Sequence, residues 1–341
     1  MRKTVILITG ANGEIGHGLV QHFRTTADTD VVALDLKPID RELADGCAAT
    51  IVGDILDDNV LQRLASEFEI HEIYHLAALL STRSEHAPIQ GHRVNVNGTL
   101  NLLQLAHEQA TSHGHNVKFL FPSSIAAYGI PNRETKNILD PLDEGEFNFP
   151  ATMYGCNKLY CEQLGRYFSR HFRQLDARVA SSGVDFRGLR FPGLISAYTV
   201  PAGGTSDYGP EMIHAAASGK PYDCFVDEGA ALPFMAMPDA VKALTSLAAA
   251  GQDQLGRRVY NVTSFTLSAG EIRDRVLARF PGAEVRFNPD PARAKIVDSW
   301  PALVDDSAAR NDWGWAPEYG VDRAFDDYVF PNVARYYEGT S

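Results

Sequence analysis

The sequence predicts an α/β fold, a doubly wound parallel sheet with a smaller C-terminal lobe, and three observations carry that expectation. The first is Thr4 to Thr9 (TVILIT), a short β-branched run that is apolar on both faces, as a strand covered by helices on each side must be. The second is alternation. Apolar runs at Val31 to Leu36, Ala49 to Val52, Glu72 to Ala78 and Val117 to Ser124 alternate with helical stretches, among them Ile15 to Arg24 and Val94 to Ser112. The third is a change of character after a helix at Tyr154 to Phe172 and a strand at Val184 to Phe191: Pro and Gly thicken from Pro192 to Pro210, as in a site loop. Residues 1–191 are expected to form the sheet domain and 192–341 mainly the lobe, with some later segments returning to the sheet.

The chain has 341 residues and a mass of 37.4 kDa, more than one ordinary core needs. Its 31 Lys and Arg against 43 Asp and Glu leave a formal charge of -12, which argues against a nucleic-acid backbone or an anionic membrane as partner. Hydrophobic residues at 45% and charged residues at 22% are the proportions of a folded chain rather than a disordered one. Cys47, Cys156, Cys161 and Cys224 lack paired spacing, and His71, His75, His113 and His115 lack ligand spacing, so neither a disulfide framework nor a metal is expected. The opening MRKTVILITG is too short an apolar run for a signal peptide, and no run of about 18 apolar residues occurs. A cytoplasmic protein is expected.

After Thr9 comes Gly10-Ala11-Asn12-Gly13-Glu14-Ile15-Gly16, a G-x-x-G-x-x-G turn opening a helix. Glycines there permit a tight turn and let backbone approach a pyrophosphate, which rests on the helix N-terminus in the Rossmann arrangement. The same pattern also serves an ordinary strand-turn-helix connection. Asp35, 19 residues after Gly16 and followed by Leu36, stands at a strand end where a carboxylate accepts from both hydroxyls of an adenosine ribose. It repels a 2′-phosphate and so selects NAD over NADP; the other reading is a solvated strand-end residue. Asp54 and Ile55 read as the edge of an adenine pocket, and Leu76, Ala77 and Ala78 as small residues admitting a flat ligand. For each of these, strand-end packing is the alternative.

Tyr154 and Lys158 form Y-x-x-x-K and share one helix face. A phenol with a pKa near 10 is too weakly acidic to serve as a base at neutral pH, and a nearby ammonium lowers it toward the working range. A helix-surface pair is the bland reading. Ser123 and Ser124 end the fifth strand, at the sheet edge where ligands bind, and a strand-end hydroxyl can hold a substrate alcohol or carbonyl.

Together TGANGEIG, HLAA, Asn95-Val96-Asn97-Gly98-Thr99, PSSIAAYG and YGCNK resemble the extended short-chain dehydrogenase/reductase family. Within it the chain most resembles the short-chain L-threonine 3-dehydrogenases, on four blocks: Ile73 to Ser81, Leu189 to Ser196, Gly203 to Tyr208 with LPFMAMPDAVKAL, and Lys295 to Trp315. The first two blocks occur across related epimerases and dehydratases, and the last two are narrower. The resemblance implies oxidation of the L-threonine 3-hydroxyl by NAD, giving 2-amino-3-oxobutyrate and NADH. It implies Tyr154 as general base, Ser124 on the substrate hydroxyl with Ser123 beside it, and Lys158 on the ribose and tuning Tyr154. Asn95 falls on the cofactor side, Leu194 near the nicotinamide, and Gly193, Ser81, Thr205 and Asp207 toward the amino acid. Ordinary loop hydrogen bonding remains the alternative for Ser81, Thr205 and Asp207. A homodimer through the helices at Val94 to Ser112 and Tyr154 to Phe172 is implied as well.

Two departures stand out. Ser124 replaces a threonine common in that family, and either hydroxyl can donate. The stretch from Asn132 to Pro150 is longer and more acidic than the family pattern, and reads as a solvated loop or as a reshaped site mouth. Trp300 to Trp315 reads as packing for the lobe. The rival activities are a sugar-acid dehydrogenase and a nucleotide-sugar epimerase that uses the same Ser, Tyr and Lys. The epimerase needs a pocket rich in basic residues, and Pro201 to Pro210 has none. A non-enzymatic NAD-binding protein would not need Ser124, Tyr154 and Lys158 together.

Overall fold

Apolar strands that alternate with amphipathic helices must bury both faces of one sheet, and the computed structural model, which describes residues 2–25, 30–176, 182–201 and 203–338, contains that sheet. The described strands, which form that sheet and two smaller ones, are β1 (Lys3–Thr9), β2 (Val31–Asp35), β3 (Ala49–Val52), β4 (Phe68–His75), β5 (Val117–Ser124), β6 (Val184–Phe191), β7 (Gly193–Ile195), β8 (Tyr222–Cys224), β9 (Ala231–Ala236), β10 (Val259–Asn261), β11 (Phe265–Ser268) and β12 (Val285–Phe287). The chain divides into two units. Unit 1 is Met1–Ser123, Asn157–Leu189 and Val241–Tyr260; unit 2 is Ser124–Cys156, Arg190–Ala240 and Asn261–Ser341.

Unit 1 carries the seven-stranded sheet, ordered β10-β6-β5-β4-β1-β2-β3. β1 runs parallel to β2 and β4, β2 to β3, and β4 to β5. The order reverses between β1 and β4, the switch point at whose carboxyl edge such sheets bind ligands. β3, β5 and β6 have the bounds expected from sequence, and β6 is buried along its whole length. β4 starts at Phe68 rather than Glu72 and stops at His75 rather than Ala78. Its exit is forced by close packing: a Cβ on Gly10 would stand 2.7 Å from the Ala77 nitrogen, so Leu76-Ala77-Ala78 pass over the turn instead of continuing the ladder. The expected helix from Val94 begins as a π-type turn at Arg93–Asn97 and continues as a regular helix over Gly98–His113, ended by Gly114 in the left-handed conformation (φ 80°). Arg187, buried in β6, donates to Asp185 and caps the returning segment through the carbonyls of Leu247 (2.5 Å), Ala248 (3.1 Å) and Ala250 (2.8 Å).

In unit 2, β9 pairs antiparallel with β11 and parallel with β7, and β8 pairs parallel with β12. The acidic stretch at 132–150 is not a plain solvated loop. It contains the Arg133–Ile138 helix, Leu142 bridges Val304, and the buried Asn261 side chain donates to the Leu142 carbonyl (3.0 Å) while its backbone nitrogen donates to Glu144 (2.7 Å). Its carboxylates serve backbone groups of unit 2, which composition alone does not reveal. Trp300 and Trp315 are buried, as expected of a lobe core. No described helix is long and apolar enough to cross a membrane.

Asp239 joins three separate segments of unit 2. Buried to 1% exposure, it accepts from Ser264 Oγ (3.0 Å), Glu318 N (2.8 Å) and Tyr319 N (3.0 Å). Replacing it by Asn removes the charge and at least one acceptor, leaving buried donors unmatched. Asp239→Asn is expected to cost about 2–4 kcal/mol in urea unfolding; a change below about 0.5 kcal/mol would remove the residue from this role.

Candidate active site

The cradle at the switch point lies wholly in unit 1. Gly10 has φ of 70°, and a Cβ on Gly16 would stand 2.4 Å from the Ala11 carbonyl oxygen, so neither position tolerates a side chain. Glu14 and Ile15 open the Glu14–Thr25 helix, directly after the exposed Gly13. Asp35 ends β2 with its carboxylate accepting from Asn12 N (3.0 Å) and Lys37 N (3.2 Å). The Asn12 side chain reaches past it to the carbonyls of Lys37 (3.3 Å) and Pro38 (3.0 Å), clamping the loop after β2, where Leu36 is exposed. Glycines that a Cβ would close, a helix N-terminus and a fixed strand-end carboxylate fit an adenine dinucleotide. Asp54 turns its carboxylate to Leu56 N (2.9 Å), and Ile55 is buried against Gly98.

Beneath the cradle runs a buried polar chain that sequence reading missed. His75 Nδ1 is 3.0 Å from Thr9 Oγ1 and its Nε2 is 2.9 Å from Thr99 Oγ1. Thr99 gives its own proton to the Asn95 carbonyl (2.5 Å), so it can only accept from His75, which places the imidazole proton on Nε2. The Asn95 amide is committed to the Leu79 backbone, accepting at 2.7 Å and donating at 3.0 Å. Asn95 therefore shapes the turn that leads to Ser81 rather than reaching outward. Burial, aided by the Lys158 charge, pushes His75 down to about 3, so the ring is neutral at working pH.

The Met153–Arg170 helix carries Tyr154 and Lys158. Lys158 is buried, donates to the Pro122 carbonyl (2.6 Å) and lies 4.7 Å from the centre of the Phe121 ring. Burial pushes its pKa down to about 8 and raises the Tyr154 phenol above its ordinary value. The two serines of β5 separate. Ser123 Oγ is buried and donates to the Glu162 carboxylate, while Ser124 is half-buried and accepts from Ala126 N (3.1 Å). Successive strand side chains point to opposite faces, and Ser123 is the one whose hydroxyl bonds Glu162 of the helix.

In unit 2, Gly193 packs so closely that a Cβ would stand 2.7 Å from the Phe234 ring, and Leu194 pairs with Met235. The 203–208 turn closes on itself, with Gly203 at φ 81° and Gly204 N donating to Asp207 (2.6 Å); Thr205 is buried within it. Arg293, which no motif indicated, stacks its guanidinium 3.2 Å from the centre of the Phe225 ring and lies 3.5 Å from the Gly204 carbonyl. It is remote in sequence, and only the fold brings a cation to this turn. Ser81 opens the short Ser81–His86 helix in unit 1. Among the described residues, no group of three or more His, Cys, Asp or Glu could hold a metal ion.

The fold and the cradle define a dinucleotide-binding α/β protein. Residues 6–263 match the NAD dependent epimerase/dehydratase family, and the chain belongs to that family. It is 33% identical over 318 residues to the mitochondrial L-threonine 3-dehydrogenase of Bos taurus, spanning 93% of this chain and 79% of that one. Among solved structures, an L-threonine dehydrogenase from Clostridium difficile is 32% identical with a TM-score of 0.85, covering 99% of each chain. A monomeric L-threonine 3-dehydrogenase from a metagenome is 34% identical with a TM-score of 0.83, covering 98% of this chain and 100% of that one.

The neutral His75 has a measurable consequence. Its folded pKa of about 3 lies below the ordinary 6.5. Between those values the unfolded chain binds the extra proton, so stability falls as pH falls. From pH 7 to pH 5 the loss from this group is about 2 kcal/mol. Urea unfolding at the two pH values should show that loss in the natural protein and not in His75→Gln; equal slopes in both would exclude the assignment.

Proposed function

We propose that the chain oxidises the 3-hydroxyl of L-threonine with NAD, yielding 2-amino-3-oxobutyrate and NADH. The observation that carries this reading is likeness to L-threonine dehydrogenases over almost the whole chain, with Ser124, Tyr154 and Lys158 all present on the elements the chemistry needs. Gly10, Asn12, Gly13, Glu14, Ile15 and Gly16 would hold the pyrophosphate end, with Asp35 and Leu36 at the adenosine ribose. Asp54, Ile55, Leu76, Ala77 and Ala78 would flank the adenine side. When bound, NAD supplies the hydride acceptor. Tyr154 takes the hydroxyl proton, Ser124 orients that hydroxyl, and Lys158 binds the ribose and keeps a positive charge four residues along the helix from the phenol.

Residues 192–341 would mainly hold the amino acid, with Gly193, Thr205 and Asp207 from this lobe and Ser81 from the sheet domain. Charged ends buried in a closed site need paired polar groups. Arg293 beside the 203–208 turn supplies one cation, enough for a single carboxylate and sparse for the diphosphate of an epimerase substrate. We also propose a cytoplasmic protein, from its scattered cysteines, and, from the family resemblance, a homodimer through the helices expected at Val94 to Ser112 and Tyr154 to Phe172, which here run over Gly98–His113 and Met153–Arg170.

NADH formation followed by absorbance with L-threonine, D-threonine, L-serine and a UDP-sugar panel tests the proposal. L-Threonine is expected to be turned over, and a sugar turned over in its place would overturn it. Tyr154→Phe should lower kcat by roughly 100-fold or more while leaving NAD binding within about 3-fold. Asp35→Ala should weaken NAD and relax discrimination against NADP, as lost ribose hydrogen bonds require. An unchanged cofactor preference would exclude the ribose role.

A further inference from the structure

We propose that Glu162 is a positioning residue for Lys158: a buried carboxylate, fixed by Ser123, that keeps the lysine ammonium charged. Tyr154, Lys158 and Glu162 recur at four-residue intervals and so line one face of the Met153–Arg170 helix. Glu162 is 2% exposed, and Ser123 Oγ at the end of β5 donates to it. A carboxylate this deep is costly unless it serves a partner.

Three elements bring groups to Lys158. From β5 come the Phe121 ring and the Pro122 carbonyl. From β4 comes His75, neutral at working pH. From its own helix come Cys161 and Glu162, both of which oppose the downward push of burial on the lysine. The Cys161 thiol is pushed up to about 11, chiefly by burial, and so carries no charge at neutral pH. Among these named groups Glu162 is the carboxyl group, one helical turn beyond Lys158 and held by Ser123. Ser123 gains a role as well. Its hydroxyl is spent on Glu162, which leaves Ser124 as the serine of the pair available to a substrate.

The first test needs no substrate. NADH binding is followed by fluorescence across pH in the natural protein and in Glu162→Gln. Loss of the Lys158 proton should weaken NADH by roughly 10-fold, the scale of a hydrogen bond from a charged donor. In Glu162→Gln that weakening should begin about one pH unit lower. Glu162→Asp, which keeps the charge, should restore the natural midpoint to within about 0.3 unit. An unmoved midpoint in Glu162→Gln overturns the proposal.

If Glu162→Gln does not fold, Ser123→Ala carries the test. It should move the NADH midpoint the same way by about half a unit and lower kcat for L-threonine with KM nearly unchanged. A rise in KM with an unmoved midpoint would place Ser123 on the substrate and overturn the proposal. The kinetic arm rests on the proposed activity, whereas the NADH midpoint does not. Failure to oxidise L-threonine with a shifted midpoint would reject that activity and leave Glu162 in its role.

Discussion

The imidazole of His75 touches Thr9 on one side and Thr99 on the other, and the carboxyl edge of the sheet is built around that pair of hydrogen bonds. Thr9 and His75 are partners across the β1/β4 ladder, the last residues before both strands leave the sheet. Just beyond this pair, Gly10 on one strand and Leu76-Ala77-Ala78 on the other approach so closely that no side chain fits at Gly10. A ring with both nitrogens satisfied can hold that approach in a water-free interior, whereas a ring with one nitrogen orphaned would cost more than the contact returns. The chain continues through Thr99 to the Asn95 carbonyl, and Asn95 in turn fixes the backbone of Leu79. The dinucleotide cradle and the turn leading to Ser81 therefore share one buried support.

What the sequence discloses is what local chemistry determines. β-Branched and aromatic runs ended by polar or turn residues let β3, β5 and β6 be bounded to the residue, although β3 lies at the sheet edge and is largely exposed and the buried β6 carries Asp185, Arg187 and Arg190. A turn in which backbone meets backbone must be glycine, so Gly10 and Gly16 announce the cradle. What it withholds depends on partners distant in the chain. Asn95 looks like a motif residue free to face a ligand, and only the π-type turn at Arg93–Asn97 directs its amide to Leu79. Ser123 and Ser124 are chemically alike, and pleat direction plus Glu162, 39 residues on, tells them apart. The place of Arg293, and the backbone partners of the carboxylates at 132–150, are not legible because composition says how many charges there are, not which backbone groups they meet.

The acidity of the chain takes on a different meaning beside these buried charges. Most of the -12 is surface charge and reports solubility. The consequential ionisable groups are few, Lys158 buried and Tyr154 half-buried. Burial acts on them in opposing senses: it raises the Tyr154 phenol above its ordinary value and pushes the Lys158 ammonium down to about 8. The proposed reaction needs the reverse of both, a phenol ready to lose its proton and an ammonium that keeps its own. Neither residue can correct this alone, since each depends on the charge state of the other. A fixed acceptor for the ammonium breaks that circle, and the helix supplies one a turn beyond Lys158 while β5 contributes a carbonyl at 2.6 Å and an aromatic face. Desolvation thus becomes compatible with proton transfer through the way one helix and one strand end are laid together.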